Sequence, residues 1–310
     1  MKPPRFQYCA PRILDEALSL LDQYREDCKV LAGGQSFVPL LNMRLAGPGY
    51  IVDINHLAEL HYIETEQDYL AIGAIARQSQ IERSILVREK HPLLVEVISH
   101  IGHIQIRNRG TVVGSIAHAD PAAELPALLT CLDGSVLAQS IQGERVIPAS
   151  EFFTGYLSTS LEPGEMLTEV RFPWIPPQAG WAFEEFARRS GDYALVGVIA
   201  VLTPAPDDTC QSANIAYLGV AGSPVRAHEV EQALLGTRVD EQAIEAAAIL
   251  AREVVSKDMS DIHGTVAYRR ELASELTRRV LKAAWVKRKP YIQSQRIEQA
   301  GQYEQENGEA

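Results

Sequence analysis

Two short segments carry small residues where a chain can approach a bound group closely. One is Ala32-Gly33-Gly34-Gln35-Ser36, directly after the apolar pair Val30-Leu31. The other is Arg109-Gly110-Thr111-Val112-Val113-Gly114-Ser115, after an apolar helical stretch. Without a Cβ in the way, consecutive backbone N–H groups can cradle anionic oxygens. Two such loops from separate parts of the chain could clamp a pyrophosphate from two sides. Gln35, Ser36, Thr111 and Ser115 add side-chain donors. The same pattern also describes two ordinary tight turns, and spacing alone leaves both readings open.

Other constellations offer less. His118, Asp120 and Glu124 lie close in sequence, but Pro121 interrupts them and they share no regular face. A metal ion needs three or four converging ligands. Hydrogen bonding to a ligand, or helix capping by Asp120, is the better reading. Arg107 and Arg109 could lend charge near a phosphate. Arg188-Arg189-Ser190-Gly191-Asp192-Tyr193 reads as a turn that ends in an aromatic able to stack on a ring, or merely as a good turn. No G-x-G-x-x-G follows a strand, no Walker A sequence occurs, and no G-x-S-x-G is present.

The elements that must position these residues follow from periodicity. Helical spacing marks Ile13, Leu14, Ala17, Leu18 and Leu21, and again Leu93, Leu94, Val97, Ile98 and Ile101. Residues 105–114 read as a loop, and 122–132 as a helix kinked or started late at Pro126. Val30-Leu31 and Ile51-Val52-Asp53-Ile54 read as strands of a small β-α-β unit around an apolar segment at 39–45. Hairpins are expected around Glu66-Gln67-Asp68 and Gln142-Gly143-Glu144, with a strand at 166–172. A proline-bearing linker at 174–180 precedes three strands, at 182–186, 196–202 and 215–220. Helices at 227–235, 241–254 and 265–285 follow. The fold class is α+β: a mixed N-terminal part, then an antiparallel sheet with helices.

Composition narrows the function. The chain has 310 residues, room for about two domains. Hydrophobic residues make up 46% and the net charge is −11, so a packed core is expected and a nucleic-acid partner is not. No apolar run is long enough to span a membrane, and the start of the sequence lacks a signal-peptide core, so a cytoplasmic protein is expected. Cys9, Cys28, Cys131 and Cys210 are scattered, without a Cys-x-x-Cys, which argues against an iron–sulfur or zinc site within the chain.

Longer stretches carry a resemblance. Leu31-Ala-Gly-Gly-Gln-Ser36, Ile101-Gly-His-Ile-Gln-Ile-Arg-Asn-Arg-Gly110 and Ala117-His-Ala-Asp-Pro-Ala-Ala-Glu124 resemble the FAD-binding medium subunit of molybdenum hydroxylases, the family of carbon monoxide dehydrogenase, quinoline 2-oxidoreductase and xanthine dehydrogenase. The resemblance continues through Phe186-Ala-Arg-Arg-Ser-Gly-Asp-Tyr193, Asp261-Ile-His-Gly264 and Tyr268-Arg-Arg270, covering nearly all but the tail. It implies a two-lobed FAD-binding domain of the vanillyl-alcohol oxidase (PCMH) type at 1–176. A smaller domain like the carbon monoxide dehydrogenase flavoprotein C-terminal domain would span 177–286, and a flexible polar tail 287–310.

The resemblance also implies site residues and partners. Ala32, Gly33, Gly34, Gln35 and Ser36, with Thr111, Val112, Val113, Gly114 and Ser115, would form the two pyrophosphate loops. Ile101, Asp120, Glu124 and Leu167 would line FAD, and Tyr193 would lie beside the flavin ring. The chain would pair with a small subunit carrying two 2Fe–2S clusters and a large subunit carrying the molybdenum cofactor, as a dimer of heterotrimers. Hydroxylation would occur in the large subunit, with electrons passing through the clusters to FAD and on to an external acceptor. No catalytic residue and no metal ligand is expected in this chain. The alternatives are a self-contained FAD oxidase or reductase and a flavin-free scaffold subunit. One departure stands out: Val113 occupies a position where the family usually has glycine. A positive φ there would strain a β-branched residue, whereas a negative φ would accommodate it.

Overall fold

The computed structural model describes residues 2–289. Its N-terminal lobe holds a parallel sheet in which Tyr50–Asp53 lies between Gln7–Cys9 and Cys28–Leu31. The helix Phe37–Met43 connects the last two strands in sequence, completing the β-α-β unit expected from the pattern. The strand Gln7–Cys9 escaped the sequence reading because three residues between prolines carry too short a period. Helix Leu14–Tyr24 buries Ala17, Leu18 and Leu21, the 3.6-residue stripe seen in the sequence.

A second, antiparallel sheet runs Ile63–Thr65, Tyr69–Gly73, Met166–Pro173, Ser135–Ser140, Gly143–Pro148 across its width. Both expected hairpins are there. The central strand carries a bulge between Leu167 and Glu169 where it meets Ser135–Ser140. Bulges re-aim side chains at the edge of sites, and Leu167 lines the large cavity described below.

The C-terminal sheet is antiparallel, ordered Gly180–Phe186, Val196–Pro204, Cys210–Leu218, Val225–Arg226. Every residue of Val196–Pro204 is buried, so the strand is covered on both faces. Alternation assigns the faces. Ile199 and Val201 join the core shared with the N-terminal lobe. Val198, Ala200 and Leu202 pack with the C-terminal helices, including Val266–Lys287. Helix Glu124–Cys131 fills the first interface and buries six of its residues, Leu125 to Leu129 and Cys131. Helix Val266–Lys287 runs past the expected end at 285; residues 290–310 of the polar tail lie outside the described residues.

One expected element is corrected. Residues 105–114 are not a loop. Ile104–Arg107 is a helical turn and Val112–His118 is a helix, so only residues 108–111 connect them. Thr111 starts the second helix, its Oγ1 accepting the Gly114 N–H at 3.0 Å. Helices Gln78–Arg83 and Ile85–Lys90 were also missed, because neither is long enough to show a period. Among the described residues, no helix is long and apolar enough to cross a membrane.

Candidate cofactor-binding site

The two glycine-bearing segments meet. Strand Cys28–Leu31 delivers residues 32–36 and helix Val112–His118 delivers 111–115, both onto one cavity of about 830 Å³. That volume lies toward the upper end of the roughly 300–1,000 Å³ usual for cofactor clefts. The backbones touch behind it: a Cβ on Gly33 would lie 2.5 Å from the Arg109 carbonyl oxygen and 2.8 Å from Gly110 Cα. Among the described residues, the N–H groups of Gly33, Gly34, Gln35 and Ser36 donate no hydrogen bond. Unpaired backbone donors are costly unless water or a ligand meets them. A run of four at a cavity wall suits an anionic group.

Val113 is the departure the sequence flagged, and the structure resolves it. The residue lies inside a helix, outside the positive-φ region, and is 2% exposed in the shared core. It is unstrained and fills space. Val112 is the exception among the expected site residues. Its side chain is buried in the core away from the cavity, and its N–H donates to the Ala76 carbonyl at 3.4 Å. The first helical turn presents only one side to the cavity.

The other expected residues converge. Ile101, Asp120, Glu124, Leu167 and Tyr193 all line the same cavity. Asp120 does not cap the following helix. Its Oδ1 accepts the Ala122 N–H at 2.9 Å in a tight turn, and Ala123 stands at the helix start without a side-chain cap. Burial pushes the Glu124 carboxyl up to about 8, and the carboxylates of Glu185 and Asp120 push the same way. The His118 imidazole is pushed down by burial, against the pull of Asp120.

Tyr193 reaches the cavity from the C-terminal domain on the turn 190–192. Gly191 sits there at φ +86°, and a side chain on it would run into the His103 ring. The turn is therefore pressed against the N-terminal lobe, while Tyr193 as a residue remains 63% exposed. Sequence reasoning missed a further part of the lining, which includes Leu157, Leu161, Pro163, Met166 and Lys29. The Glu162-Pro163-Gly164 turn was the only local signal of it. Among the described residues, no three His, Cys, Asp or Glu side chains gather where a metal ion could be held.

Comparison with known proteins adds the decisive observation. Residues 4–175 match the family model of the FAD binding domain in molybdopterin dehydrogenase. The chain belongs to this family. Residues 181–284 match the carbon monoxide dehydrogenase flavoprotein C-terminal domain. The chain is 40% identical to the alpha subunit of the 6-hydroxypseudooxynicotine dehydrogenase complex of Paenarthrobacter nicotinovorans, over 95% of this chain and 99% of that protein. It is 36% identical to the carbon monoxide dehydrogenase medium chain of Hydrogenophaga pseudoflava, over 93% and 99%. A chain of the solved carbon monoxide dehydrogenase of that organism superposes with a TM-score of 0.90 at 37% identity, covering 93% of this chain and all of that one. For quinoline 2-oxidoreductase of Pseudomonas putida 86 the TM-score is 0.87 at 38% identity, covering 92% and 98%. This FAD-domain chain is thus an FAD subunit of the molybdenum hydroxylase type, and the match covers 99% of each of the two relatives named above.

Proposed function

We propose that the cavity holds one FAD noncovalently, and that the chain relays electrons from a partner's 2Fe–2S clusters to an external acceptor. The observation that carries the assignment is the run of unpaired N–H groups at Gly33, Gly34, Gln35 and Ser36, packed beside the start of helix Val112–His118 on the wall of the same cavity. These amides, with Thr111, Gly114 and Ser115, would grip the pyrophosphate. Ile101 and Leu167 supply apolar wall, and Asp120 and Glu124 supply hydrogen-bonding groups. Tyr193 covers the end of the cavity where the two domains meet. Leu157, Leu161 and Met166 add further apolar wall. Bound FAD supplies the electron-carrying chemistry; the protein binds, orients and shields it.

The partners in this reading are a large molybdenum-cofactor subunit and a small 2Fe–2S subunit, assembled as a dimer of heterotrimers. It is supported by the near-complete coverage of relatives that are named as subunits and medium chains. The purified complex should carry one FAD per copy of this chain, released by acid precipitation. Flavin that stays with the precipitate would refute noncovalent binding, and a complex with no flavin in either the precipitate or the supernatant would favour a scaffold role.

Tyr193 gives a second test. An exposed ring at the cavity mouth controls which acceptor approaches without exchanging protons itself. Tyr193→Ala should retain FAD yet change flavin reoxidation rates in stopped flow. Single-turnover hydroxylation at the large subunit should be unchanged. Unaltered reoxidation with several acceptors, together with a lower melting temperature, would reduce Tyr193 to a packing residue.

A further inference from the structure

Behind the loop 32–36 lies a smaller cavity of about 360 Å³, lined by Asp53, Asn55 and Arg109 and by the other side of the same loop. A chain of side-chain hydrogen bonds runs along it. Tyr8 Oη donates to Asp53 Oδ2 at 2.6 Å. Asp53 Oδ1 accepts from the Asn55 N–H at 2.9 Å and from Asn55 Nδ2 at 2.5 Å. Asn55 Nδ2 also donates to the Ala32 carbonyl at 2.8 Å. Arg77 donates to Asn55 Oδ1 through one guanidinium nitrogen and to the Arg109 carbonyl, at 2.5 Å, through another. The network thus ties the backbone just before Gly33 to the backbone just before Gly110.

Two physical consequences follow. The flanking charges orient the Asn55 amide: its oxygen faces the Arg77 cation and its nitrogen faces the Asp53 carboxylate, so the nitrogen is the group presented to Ala32. The Ala32–Gly33 peptide is trans, so its C=O and N–H point in opposite directions. Holding the Ala32 carbonyl toward Asn55 turns the Gly33 N–H toward the large cavity. The Arg109 carbonyl, held by Arg77, is the same atom against which Gly33 packs.

We propose that Asp53, Asn55 and Arg77 are positioning residues for the pyrophosphate cradle. They touch no part of the cofactor. They fix which way the loop amides point before FAD arrives, so less ordering is left for binding to drive. This proposal rests on the reading that residues 32–36 grip a pyrophosphate, and its test separates the two.

The test uses the assembled complex after removal of flavin, titrated with FAD, ADP and riboflavin. In the wild type, ADP should compete with FAD. Asn55→Ala should weaken FAD and ADP each about tenfold, the size of one lost hydrogen bond. Riboflavin, which has no pyrophosphate, should bind as before. Arg77→Lys, which keeps the charge but cannot span both acceptors, should weaken FAD less than Arg77→Met. Unchanged FAD and ADP affinities in Asn55→Ala would overturn the proposal. So would an equal loss for all three ligands with a lowered melting temperature, the mark of a merely structural role. Failure of ADP to compete in the wild type would overturn the cradle reading, and the proposal with it.

Discussion

Gly33→Val is expected to yield a folded protein that no longer retains FAD. The reason is the close approach of two backbones. A Cβ at this position would lie 2.5 Å from the Arg109 carbonyl oxygen, 2.8 Å from Gly110 Cα and 3.0 Å from Thr111 N. All three are main-chain atoms, which no rotamer change can move. The loop must swing away from helix Val112–His118, and the unpaired amides of residues 33–36 then lose their common focus. Losing two charge-assisted hydrogen bonds weakens binding by about 3–6 kcal/mol. That is on the order of a hundredfold or more in Kd. Flavin content after purification and a titration of the flavin-free complex measure the effect, with circular dichroism as the check on folding. Near-normal FAD occupancy in the folded variant would remove residues 32–36 from the site. ADP carries the same pyrophosphate, so the loss should also appear with ADP.

Glu124→Gln is expected to stabilise the flavin-free protein at high pH and to leave it unchanged in acid. The folded-state carboxyl stands at about 8 against an ordinary 4.5, with desolvation the main cause and Glu185 and Asp120 adding to it. Between those values the native state binds a proton that the unfolded state has released, so stability falls as pH rises from about 4.5 to about 8. Below that window both states are protonated and Glu behaves like Gln. Above it the native state must hold an ionised carboxylate that burial disfavours. The glutamine cannot ionise, so the pH-dependent loss disappears. The gap between the two proteins should open to about 2–4 kcal/mol near pH 8, several degrees in Tm. His100 and Glu185, 3.5 Å apart, are the same in both proteins, so a pH-dependent difference between them reports on Glu124. Melting curves at a series of pH values decide it. A gap that is constant with pH would show that Glu124 is ionised in the native state.

Local pattern determined much of this protein. The stripe on Leu14–Tyr24 is written in neighbouring residues, because burial on one face of a helix imposes a period of 3.6, and Val196–Pro204 shows as an unbroken apolar run, because both of its faces are buried. The glycine-bearing segments and the family resemblance likewise pointed to FAD, which the match over residues 4–175 bears out. Other features depend on distance in sequence. That Gly110 to Ser115 enters a helix rests on the Thr111 cap and on Ala76 lying against Val112. The helical φ at Val113, which makes a β-branched residue acceptable where glycine is usual, follows from that. Asp120 binds its own turn because Ala123, not Asp120, stands where the helix begins. The Asn55–Arg77 strap joins residues 22 positions apart to carbonyls 23 and 32 positions away. Sequence alone shows the types of these polar residues. Which carbonyl each one holds, and hence which way an amide points, is set only when the sheets and helices pack and bring those backbones within hydrogen-bond reach.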